Sequence, residues 1–482
     1  HIDSVFGPEP EKLQGYDGHQ EIELALVKLY RATGEERYLK LGQFFLDQRG
    51  TRPHFYQTEW EKRGGTVHFK ELRMSHDYPY SQAHLPVRVQ QTAEGHSVRA
   101  VYMLSGMADV AALTGDTKLL EACKSLWSNI VHRRMYITGG IGSQAYGESF
   151  TSDYDLPGDT VYAETCASIG LIFFAHRMLS LEPKSEYADV MERALYNTVV
   201  SGMSQDGKHF FYVNPLEVNP AAVRKNAIYH HIKPVRQGWF GCACCPPNIA
   251  RLLASLGSYI YTFRDRTVYT QLYIGGQAEW ELDGGMIHLE QQSDYAWEGK
   301  AQFQIRADKP TAFTIALRVP DWTDSVSVTL NGMPYPAFTG DKGYIEIDRV
   351  WSTGDRIELE FGMPVHRMKG HPLVRHTAGR IALQRGPFVY CLEEADNGAN
   401  LHQLYLPRDS ELRAYPSKDL LGGVYVITAD AVRGDSPAAW QNGALYRKNA
   451  DWNPSPVTAA FIPYYAWANR GEGEMTVWVK EL

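Results

Sequence analysis

The sequence predicts a helical toroid followed by two all-β domains, and three observations support this fold class. Residues 31–35 and 112–116 form the same polar turn, each between two segments whose apolar positions are three and four residues apart. After about Phe263 this helical period gives way to alternating apolar and polar residues. Asn331-Gly332, a dipeptide typical of tight β-hairpins, lies among these alternating segments.

Four helical hairpin units are predicted in the first half of the chain. The first two occupy residues 21–46 and 98–131 around the repeated turns. A third hairpin turns at residues 181–183, and a fourth unit opens at Pro246 with a helical run over residues 249–263. Helical hairpins joined by long loops favour an α/α toroid over a bundle with short connections.

The residues at the start of each hairpin carry the functional signal. In successive hairpins these residues are His19, then His96, then Glu164 and Cys166, then Cys244 and Cys245. Equivalent positions of a toroid lie at the same end of its axis, so we expect these side chains to converge on one pit. A lone histidine at a helix start is more often a cap or a core residue, but the shared position favours a single active site.

The cysteines suggest either a metal or a nucleophile. Cys244 and Cys245 precede two prolines in a first helical turn, where free N–H groups and the helix dipole lower the pKa of a thiol. With Glu164 and Cys166 they form a ligand set that would close a tetrahedral zinc shell. Adjacent ligands depart from the C-x-x-C spacing of zinc fingers, and free cysteine is often a small buried hydrophobe. Both readings remain open.

A glycine- and aromatic-rich loop over residues 139–150 precedes the third hairpin. Glycines let a backbone approach a ligand closely. If this loop closes over a substrate, burial raises the pKa of Glu148 into the range of a general acid. The alternative is a solvated loop glutamate.

Strand-like segments follow in two groups, interpreted as one β-sandwich over residues 264–365 and a second over residues 366–482, which leaves residues 1–263 to the toroid. The first group comprises residues 268–274, 287–290, 303–305, 313–319, 326–330 and 357–361, and the second includes 380–384, 423–427 and 475–479. Neither group carries a catalytic cluster. We interpret both as support or interface, and expect them to pair protomers in a homodimer.

Composition excludes several partners. A net charge of −8 with mixed signs provides no basic stripe, which disfavours nucleic acid. No apolar run approaches the roughly 20 residues of a membrane span. Six cysteines in 482 residues do not form a disulfide framework, so a reducing, cytoplasmic location is expected.

Four motifs together resemble glycoside hydrolase family 127, whose characterised activity is β-L-arabinofuranosidase. They lie in order at residues 139–142, 146–148, 162–167 and 242–248, and the resemblance covers nearly the whole chain. It implies an (α/α)6-barrel catalytic domain of six hairpins, followed by two β domains. Because four hairpins are counted here, we expect the two N-terminal hairpins to be absent from this chain.

The resemblance also implies a set of residue roles for a retaining, exo-acting enzyme that releases L-arabinofuranose from a small carbohydrate substrate. The implied roles are a zinc ion held by Glu164, Cys166, Cys244 and Cys245, Cys244 as nucleophile, Glu148 as general acid/base, and substrate contacts from His19 and His96. Glu192 and Tyr212 match more loosely as sugar-contacting positions, with a helix-surface and a core reading left open.

Two functions from other classes compete with this reading. The first is a purely structural zinc site, with catalysis by a carboxylate pair such as Glu148 and Glu192, or by histidines in an isomerase-like toroid. The second is a sugar-binding protein without catalysis. Only the hydrolase reading uses Glu148, Cys166 and Cys244 together.

Overall fold

The structure is a computed structural model that describes residues 1–66, 77–435, 445–446, 448 and 451–482. It is a mixed α+β molecule in three parts, a helical part followed by two β parts. The helical part contains α1 (Ile2–Val5), α2 (Ile22–Thr33), α3 (Glu36–Gln48), α4 (Phe55–Lys62), α5 (Ser97–Thr114), α6 (Thr117–Arg133), α7 (Thr165–Leu181), α8 (Ser185–Ala194), the short strand β1 (Glu217–Val218), α9 (Pro220–Lys225) and α10 (Cys245–Ala254).

The predicted hairpins α2–α3, α5–α6 and α7–α8 are present, and the repeated turn explains two of them. Gly34 and Gly115 end the first helix of their hairpins in the left-handed region, with φ of 73° and 71°. Glycine adopts this conformation without steric cost, and it is the common C-terminal helix cap. Asp116 then caps α6 by accepting a hydrogen bond from the Leu119 N–H at 3.0 Å.

The first helices of successive hairpins form a continuous wall. Helix α2 packs against α5, α5 against α7, and α7 against α10. Small residues permit this close packing: a Cβ built on Gly170 of α7 would lie 2.4 Å from Cγ2 of Val101 on α5. The second helices α3, α6 and α8 each cover their own hairpin partner. The N-cap residues of all four wall helices line one cavity, so these helices present their N-termini at the same end.

The fourth unit is shorter than predicted. Helix α10 ends at Ala254, a 3₁₀ turn follows over Leu256–Tyr259, and the chain becomes strand β2 at Tyr261. The helical run predicted to Phe263 is wrong in its last part, because aromatic and β-branched residues there pair with the next strand, with Tyr261 opposite Thr270. The boundary expected between residues 263 and 264 consequently falls inside β2.

The middle part is a sandwich of two sheets over one core. Its elements are β2 (Tyr261–Arg264), β3 (Thr267–Thr270), β4 (Gly276–Leu282), β5 (Gly285–Ser293), α11 (Tyr295–Glu298), β6 (Lys300–Ala307), β7 (Thr311–Arg318), β8 (Val326–Leu330), β9 (Met333–Tyr335), β10 (Tyr344–Trp351) and β11 (Arg356–Phe361). One sheet has the order β10-β7-β3-β2 and the other β4-β5-β6-β11-β8-β9. Apolar residues of both sheets share a single core cluster. Asn331 and Gly332 join β8 to β9 with positive φ at both positions, which confirms the predicted tight hairpin.

The last part departs from the expected second sandwich. Its elements are β12 (Val365–Met368), β13 (Arg380–Arg385), β14 (Phe388–Glu393), α12 (Glu394–Asn397), β15 (Leu404–Leu406), β16 (Leu412–Ser417), β17 (Val424–Arg433), β18 (Ser455–Pro463), β19 (Met475–Thr476) and β20 (Val479–Glu481). Strand pairing closes into a ring of six, β13-β14-β18-β17-β15-β20 and back to β13. All six strands contribute to one interior cluster, so the strands enclose a filled, barrel-like core. Sequence alternation alone does not distinguish such closure from two facing sheets.

The helical part is joined to the last β part through shared packing. Strand β1 pairs with β19, and Phe211 stacks on Trp467 with ring centroids 4.7 Å apart. Arg236 completes this junction by donating to the carbonyl oxygens of Trp467 and Tyr465 at 2.6 and 3.1 Å. The β part thereby holds the segment around Phe211, which continues into the pocket described next. Within the described ranges, no helix combines the length and apolar character needed to cross a bilayer.

Candidate active site

The N-terminal ends of the four wall helices open onto one cavity of about 620 Å³. Its volume lies within the range of small-ligand sites. The predicted residues that line it are His19, His96, Glu148, Glu164, Cys166, Tyr212 and Cys244. Cys245 lies directly behind, fully buried. These side chains meet because they occupy the same position in successive units: His96, Glu164 and Cys244 are the N-cap residues of α5, α7 and α10.

These helix ends give the cavity a positive electrostatic bias. The first N–H groups of a helix have no partner inside the helix, and its dipole places partial positive charge at this end. Four such ends meet here, those of α2, α5, α7 and α10. This bias favours negative charge in the cavity and acts against the effect of burial, which raises the pKa of an acidic group.

The loop that carries Glu148 is fixed to the start of α5. Gly142 has φ of 89°, and a Cβ there would meet Oγ of Ser97 at 2.8 Å. The Ser97 hydroxyl donates to the backbone carbonyl of Glu148 at 3.1 Å, and Ser149 forms a β-bridge with His96. Glu148 itself lies in the left-handed region with φ of 50°. Strain of this kind in a residue other than glycine clusters at functional sites.

The Glu148 carboxylate has two partners. Nε2 of His96 lies 2.9 Å from one oxygen, and the Tyr162 hydroxyl donates to the other at 2.9 Å. Burial acts to raise the pKa of Glu148, but the hydrogen bond and charge of His96 outweigh it, so the net pKa is lowered. The raised pKa expected for Glu148 concerns a loop closed over a substrate, and it stays a prediction; sequence alone did not place His96 against this carboxylate.

Three thiols and a carboxylate meet at the base of the cavity. Sγ of Cys245 lies 3.6 Å from Sγ of Cys166 and 3.8 Å from Sγ of Cys244. Oε1 of Glu164 lies 3.4 Å from Sγ of Cys244 and 3.8 Å from Sγ of Cys245. The four ligand atoms all lie within 4.8 Å of one another. They belong to two helix starts, α7 and α10, held side by side by the wall.

This cluster fits a zinc ion. Ligand sulfurs of a tetrahedral site with Zn–S bonds of about 2.3 Å lie about 3.8 Å apart, close to the separations found here. Oε2 of Glu164 is buried without a hydrogen-bond partner among the described residues, which a bound cation would relieve. Burial, followed by the charges of Glu148 and Cys244, raises the pKa of Glu164 well above its ordinary value. A cation would favour the ionised carboxylate instead.

Cys244 differs from the other two thiols of the cluster. It is partly exposed to the cavity, whereas Cys166 and Cys245 are buried. Hydrogen bonds from Cys166 and then Cys245 lower the pKa of the Cys244 thiol, and the Tyr212 hydroxyl, 3.1 Å from Sγ, acts in the same direction. Burial raises the pKa of Cys245 well above its ordinary value. Negative charge in the cluster therefore concentrates on Cys244, the least buried of its three sulfurs.

Comparison with known proteins gives the family. Residues 1–258 match the GH127 catalytic domain of beta-L-arabinofuranosidase, residues 267–363 its GH127 middle domain, and residues 365–480 the glycoside hydrolase family 127 C-terminal domain. The chain belongs to glycoside hydrolase family 127.

Individual relatives agree with this assignment. The non-reducing end beta-L-arabinofuranosidase of Bifidobacterium longum subsp. longum is 44% identical over 489 residues, covering 99% of this chain and 73% of that protein. The crystal structure of a GH127 beta-L-arabinofuranosidase from Geobacillus stearothermophilus T6 has a TM-score of 0.95 at 53% identity, covering 100% of this chain and 75% of that one. A second GH127 beta-arabinofuranosidase structure has a TM-score of 0.86 at 38% identity, covering 100% and 71%. The protein is a glycoside hydrolase.

Glu192, which was expected to contact the sugar, lies away from the cavity of this family 127 protein. Glu192 does not line the cavity; it is 2% exposed at the junction of α8 with the middle sandwich. Its Oε1 forms an ion pair with Arg318 at 2.5 Å and accepts from Tyr295 at 2.8 Å, while Oε2 accepts from Trp322 at 3.0 Å. The structure thus corrects the expected sugar contact: all of these partners come from the middle domain, and they hold the carboxylate in a closed internal network.

Sequence reasoning missed several residues that line the cavity. They are Glu21, Tyr80, Arg99, Tyr102, Asn248 and Arg251, together with Tyr162, which contacts Glu148. Tyr102 and Arg251 lie one to two turns inside their helices rather than at the starts. Asn248 ends the quoted 242–248 motif and could have been weighed as a polar residue facing the pit. No sequence signal marked the two internal helical positions.

Proposed function

We propose that the protein is a retaining, exo-acting hydrolase that releases L-arabinofuranose from β-L-arabinofuranosides. The observation that carries the proposal is that Cys244, the least buried thiol of the cluster, shares this cavity with the Glu148–His96 pair. A nucleophile and a proton-transfer group in one pit are what retaining hydrolysis requires. The names of the relatives supply the sugar.

The cavity supports attack at a chain end. Behind Cys244 lie Cys166 and Cys245, which are 2% and 0% exposed, and behind them the packed wall of helices. A polysaccharide cannot thread past this base, so a terminal sugar would enter and leave by the same mouth. An internal linkage would have no outlet for the second half of its chain.

Glu164, Cys166, Cys244 and Cys245 would hold the zinc ion. When bound, the ion would keep the coordinated sulfurs deprotonated near neutral pH. Because the thiols at the base are buried and Cys244 is not, Cys244 is the sulfur that reaches the substrate. Tyr212 stands beside this sulfur and would hold it in place by donating its hydroxyl proton.

The reaction takes two displacements at one carbon. The Cys244 thiolate attacks the anomeric carbon while Glu148 gives a proton to the departing glycosidic oxygen, which forms a thioglycosyl-enzyme. Glu148, now a carboxylate, takes a proton from a water molecule that attacks the same carbon and releases Cys244. Two inversions leave the configuration unchanged. His96 lies 2.9 Å from the Glu148 carboxylate and would hold it in position through both steps.

The rival readings fare differently against this geometry. A catalytic pair of Glu148 with Glu192 loses support, because Glu192 lies in the internal network described above. A structural zinc site with another catalytic pair, and sugar binding without turnover, both remain to be separated from the proposal by experiment.

The test compares wild type, Cys244→Ser and Glu148→Gln on p-nitrophenyl β-L-arabinofuranoside, with zinc counted in each preparation. We expect both variants to lose at least about a thousandfold in kcat while still binding L-arabinose. Mass spectrometry of wild type during turnover should detect a sugar adduct on the peptide that contains Cys244, and early NMR spectra should show the β-anomer. Full activity in Cys244→Ser would refute the thiolate mechanism, and turnover absent in wild type with arabinose still bound would favour the binding protein.

Zinc content has its own control. Cys166→Ala removes one ligand from the cluster, whereas Cys123→Ala removes a buried thiol of the same helical core that is not in the cluster. We expect zinc stoichiometry to fall only in Cys166→Ala.

The domain division at residues 263 and 365, the homodimer and the cytoplasmic location stay predictions, and sedimentation at several concentrations would test the homodimer.

A further inference from the structure

One wall of the cavity carries a hydrogen-bonded group to which the mechanism assigns no role. Tyr102 lies on α5, and Asn248 and Arg251 lie on α10; all three line the cavity. Asn248 donates from Nδ2 to the Tyr102 hydroxyl oxygen at 2.8 Å, and Arg251 donates from Nη2 to the same oxygen at 3.0 Å. This group ties the second and fourth wall helices together at the cavity surface.

The direction of each of these hydrogen bonds is determined by chemistry. A guanidinium can only donate, so Nε of Arg251, 3.0 Å from Asn248, must face the amide oxygen Oδ1. The Asn248 NH₂ group is thereby turned toward Tyr102, where it must donate. Both lone pairs of the Tyr102 hydroxyl oxygen are then occupied by donors. Its own hydroxyl proton is the remaining capacity, and no acceptor for it is found among residues 1–66, 77–435 and the other described positions.

We propose that Tyr102 binds the pentose by donating this hydroxyl proton to a sugar hydroxyl oxygen. Because the ring lines the cavity and both lone pairs are directed at protein donors, the open direction for the proton is the cavity. A sugar hydroxyl can accept such a bond, whereas a purely apolar ligand would leave the proton unsatisfied.

The surroundings hold the tyrosine ready for this role. Tyr102 is only 4% exposed, and Arg251 is anchored by Oε1 of Glu21 at 2.8 Å and lies 5.0 Å from the Phe173 ring centroid. A hydroxyl that accepts from a cation becomes a stronger donor, because successive hydrogen bonds polarise one another. The His19 ring, which also lines the cavity, lies 6.3 Å from the Tyr102 ring.

The experiment deletes the interaction from both sides. Wild type and Tyr102→Phe are compared on p-nitrophenyl β-L-arabinofuranoside and on its 2-deoxy, 3-deoxy and 5-deoxy analogues. The phenyl ring preserves the packing, so only the hydroxyl is removed. We expect kcat/KM of Tyr102→Phe to fall roughly 10-fold to 100-fold on the parent substrate. For one deoxy analogue, the two proteins should be equally active.

If Tyr102 had only a structural role, Tyr102→Phe would not regain wild-type activity on a single deoxy analogue. A loss of the same size on all four substrates, or no loss on any, would overturn the proposal. Tyr259→Phe is the matched control, since Tyr259 is a buried tyrosine of the same core that does not line the cavity. Its kcat/KM should match wild type on all four substrates. Melting temperatures measured in parallel show whether each variant is folded in the assay. If Tyr102→Phe is unfolded, the three deoxy analogues are compared on wild type alone, and one of them must lose much more kcat/KM than the other two.

The inference rests on the proposed sugar, but its failure can be distinguished from a failure of that function. If wild type does not hydrolyse the arabinofuranoside, the proposed function fails, and the same comparison is made by calorimetry with L-arabinose and its deoxy forms. Weaker binding by Tyr102→Phe that disappears for one deoxy sugar supports the assignment of Tyr102. Equal binding by both proteins overturns it.

Discussion

Replacing Glu192 by alanine should destabilise the protein without removing catalytic chemistry. Glu192 lies at the junction of α8 and the middle sandwich, where Arg318 is 0% exposed and pairs with both Glu192 and Asp189 at 2.5 Å. The Tyr295 hydroxyl and the Trp322 indole N–H donate to the same glutamate. The substitution therefore removes one half of an internal ion pair and leaves two buried donors without an acceptor.

The size of the effect follows from these partners. Breaking a buried ion pair by removing one member costs about 3–5 kcal/mol, because the other charge stays buried without compensation. Burial raises the pKa of Asp189 to about 8 despite the Arg318 charge, and the charge of Glu192 also acts to raise it. Once Glu192 is gone, Asp189 can ionise and compensate Arg318 in part. We therefore expect a loss near the lower limit, about 3 kcal/mol.

The assay follows urea unfolding by far-UV circular dichroism, with kcat/KM measured at 10 °C, where the folded form of the variant predominates. Glu121→Ala, at an exposed position of α6, is the matched control and should change stability by less than about 0.5 kcal/mol. We expect kcat/KM of folded Glu192→Ala to stay within about threefold of wild type, because none of the partners of Glu192 lines the cavity. A stable variant with kcat reduced a hundredfold would refute the reasoning and return Glu192 to the active site.

Three further predictions concern the charges and the loop around the site. His96→Asn removes the hydrogen bond and the charge that lower the pKa of Glu148. In a pH profile of kcat/KM, the alkaline limb, where the proposed general acid deprotonates, should therefore move up by roughly one pH unit. A limb at the same pH as in wild type would contradict this. Burial raises the pKa of Glu23 to about 8, and its oxygens have no hydrogen-bond partner among the described residues, so the stability of wild type should fall as pH rises from about 4.5 through 8. In melting curves from pH 5 to 9, the melting temperature of Glu23→Gln should exceed that of wild type by a few degrees at the alkaline end and should equal it near pH 5. Gly142→Ala should lower the free energy of unfolding by about 1 kcal/mol or more and lower kcat/KM about tenfold by displacing the Glu148 loop. Gly207 also has a positive φ but has open space where a Cβ would lie, so Gly207→Ala should lose stability and keep its activity. Equal losses of activity in the two variants would contradict the loop argument.

The sequence carried enough information to place the metal-type ligands and Glu148, because these residues sit where local signals are strong. The two prolines mark the start of α10, and the Thr-Gly turns, which end α2 and α5, identify the repeated hairpins that relate one helix start to the next. His96, Glu164 and Cys244 could thus be brought together by architecture alone, without any distance information.

Residues inside helices gave no comparable signal. Glu192 and Tyr102 are both internal to their helices, and the sequence pattern does not say whether a polar residue there faces a cavity or an adjoining domain. One was expected at the sugar and lies in a domain junction; the other was passed over and lines the cavity. The contact that lowers the pKa of Glu148 in the protein alone was not predicted for the same reason, because it depends on which side chain lies 2.9 Å away.

The placement of four helix N-termini around this cavity explains how so many acidic groups can be packed together. Glu148, Glu164 and three thiols share a small volume in which mutual repulsion alone would keep most of them protonated. Four helix ends supply partial positive charge from one side, His96 supplies a donor to Glu148, and the ligand cluster can accept a cation. Under the proposed mechanism the site separates two tasks in space: the cluster at the base would stabilise charge on sulfur, and the histidine-paired carboxylate nearer the loop would transfer a proton. Removing the cation should change the protonation of Glu164 most, because burial raises the pKa of this carboxyl when no cation is bound, whereas the Glu148–His96 pair, which does not belong to the ligand cluster, should persist.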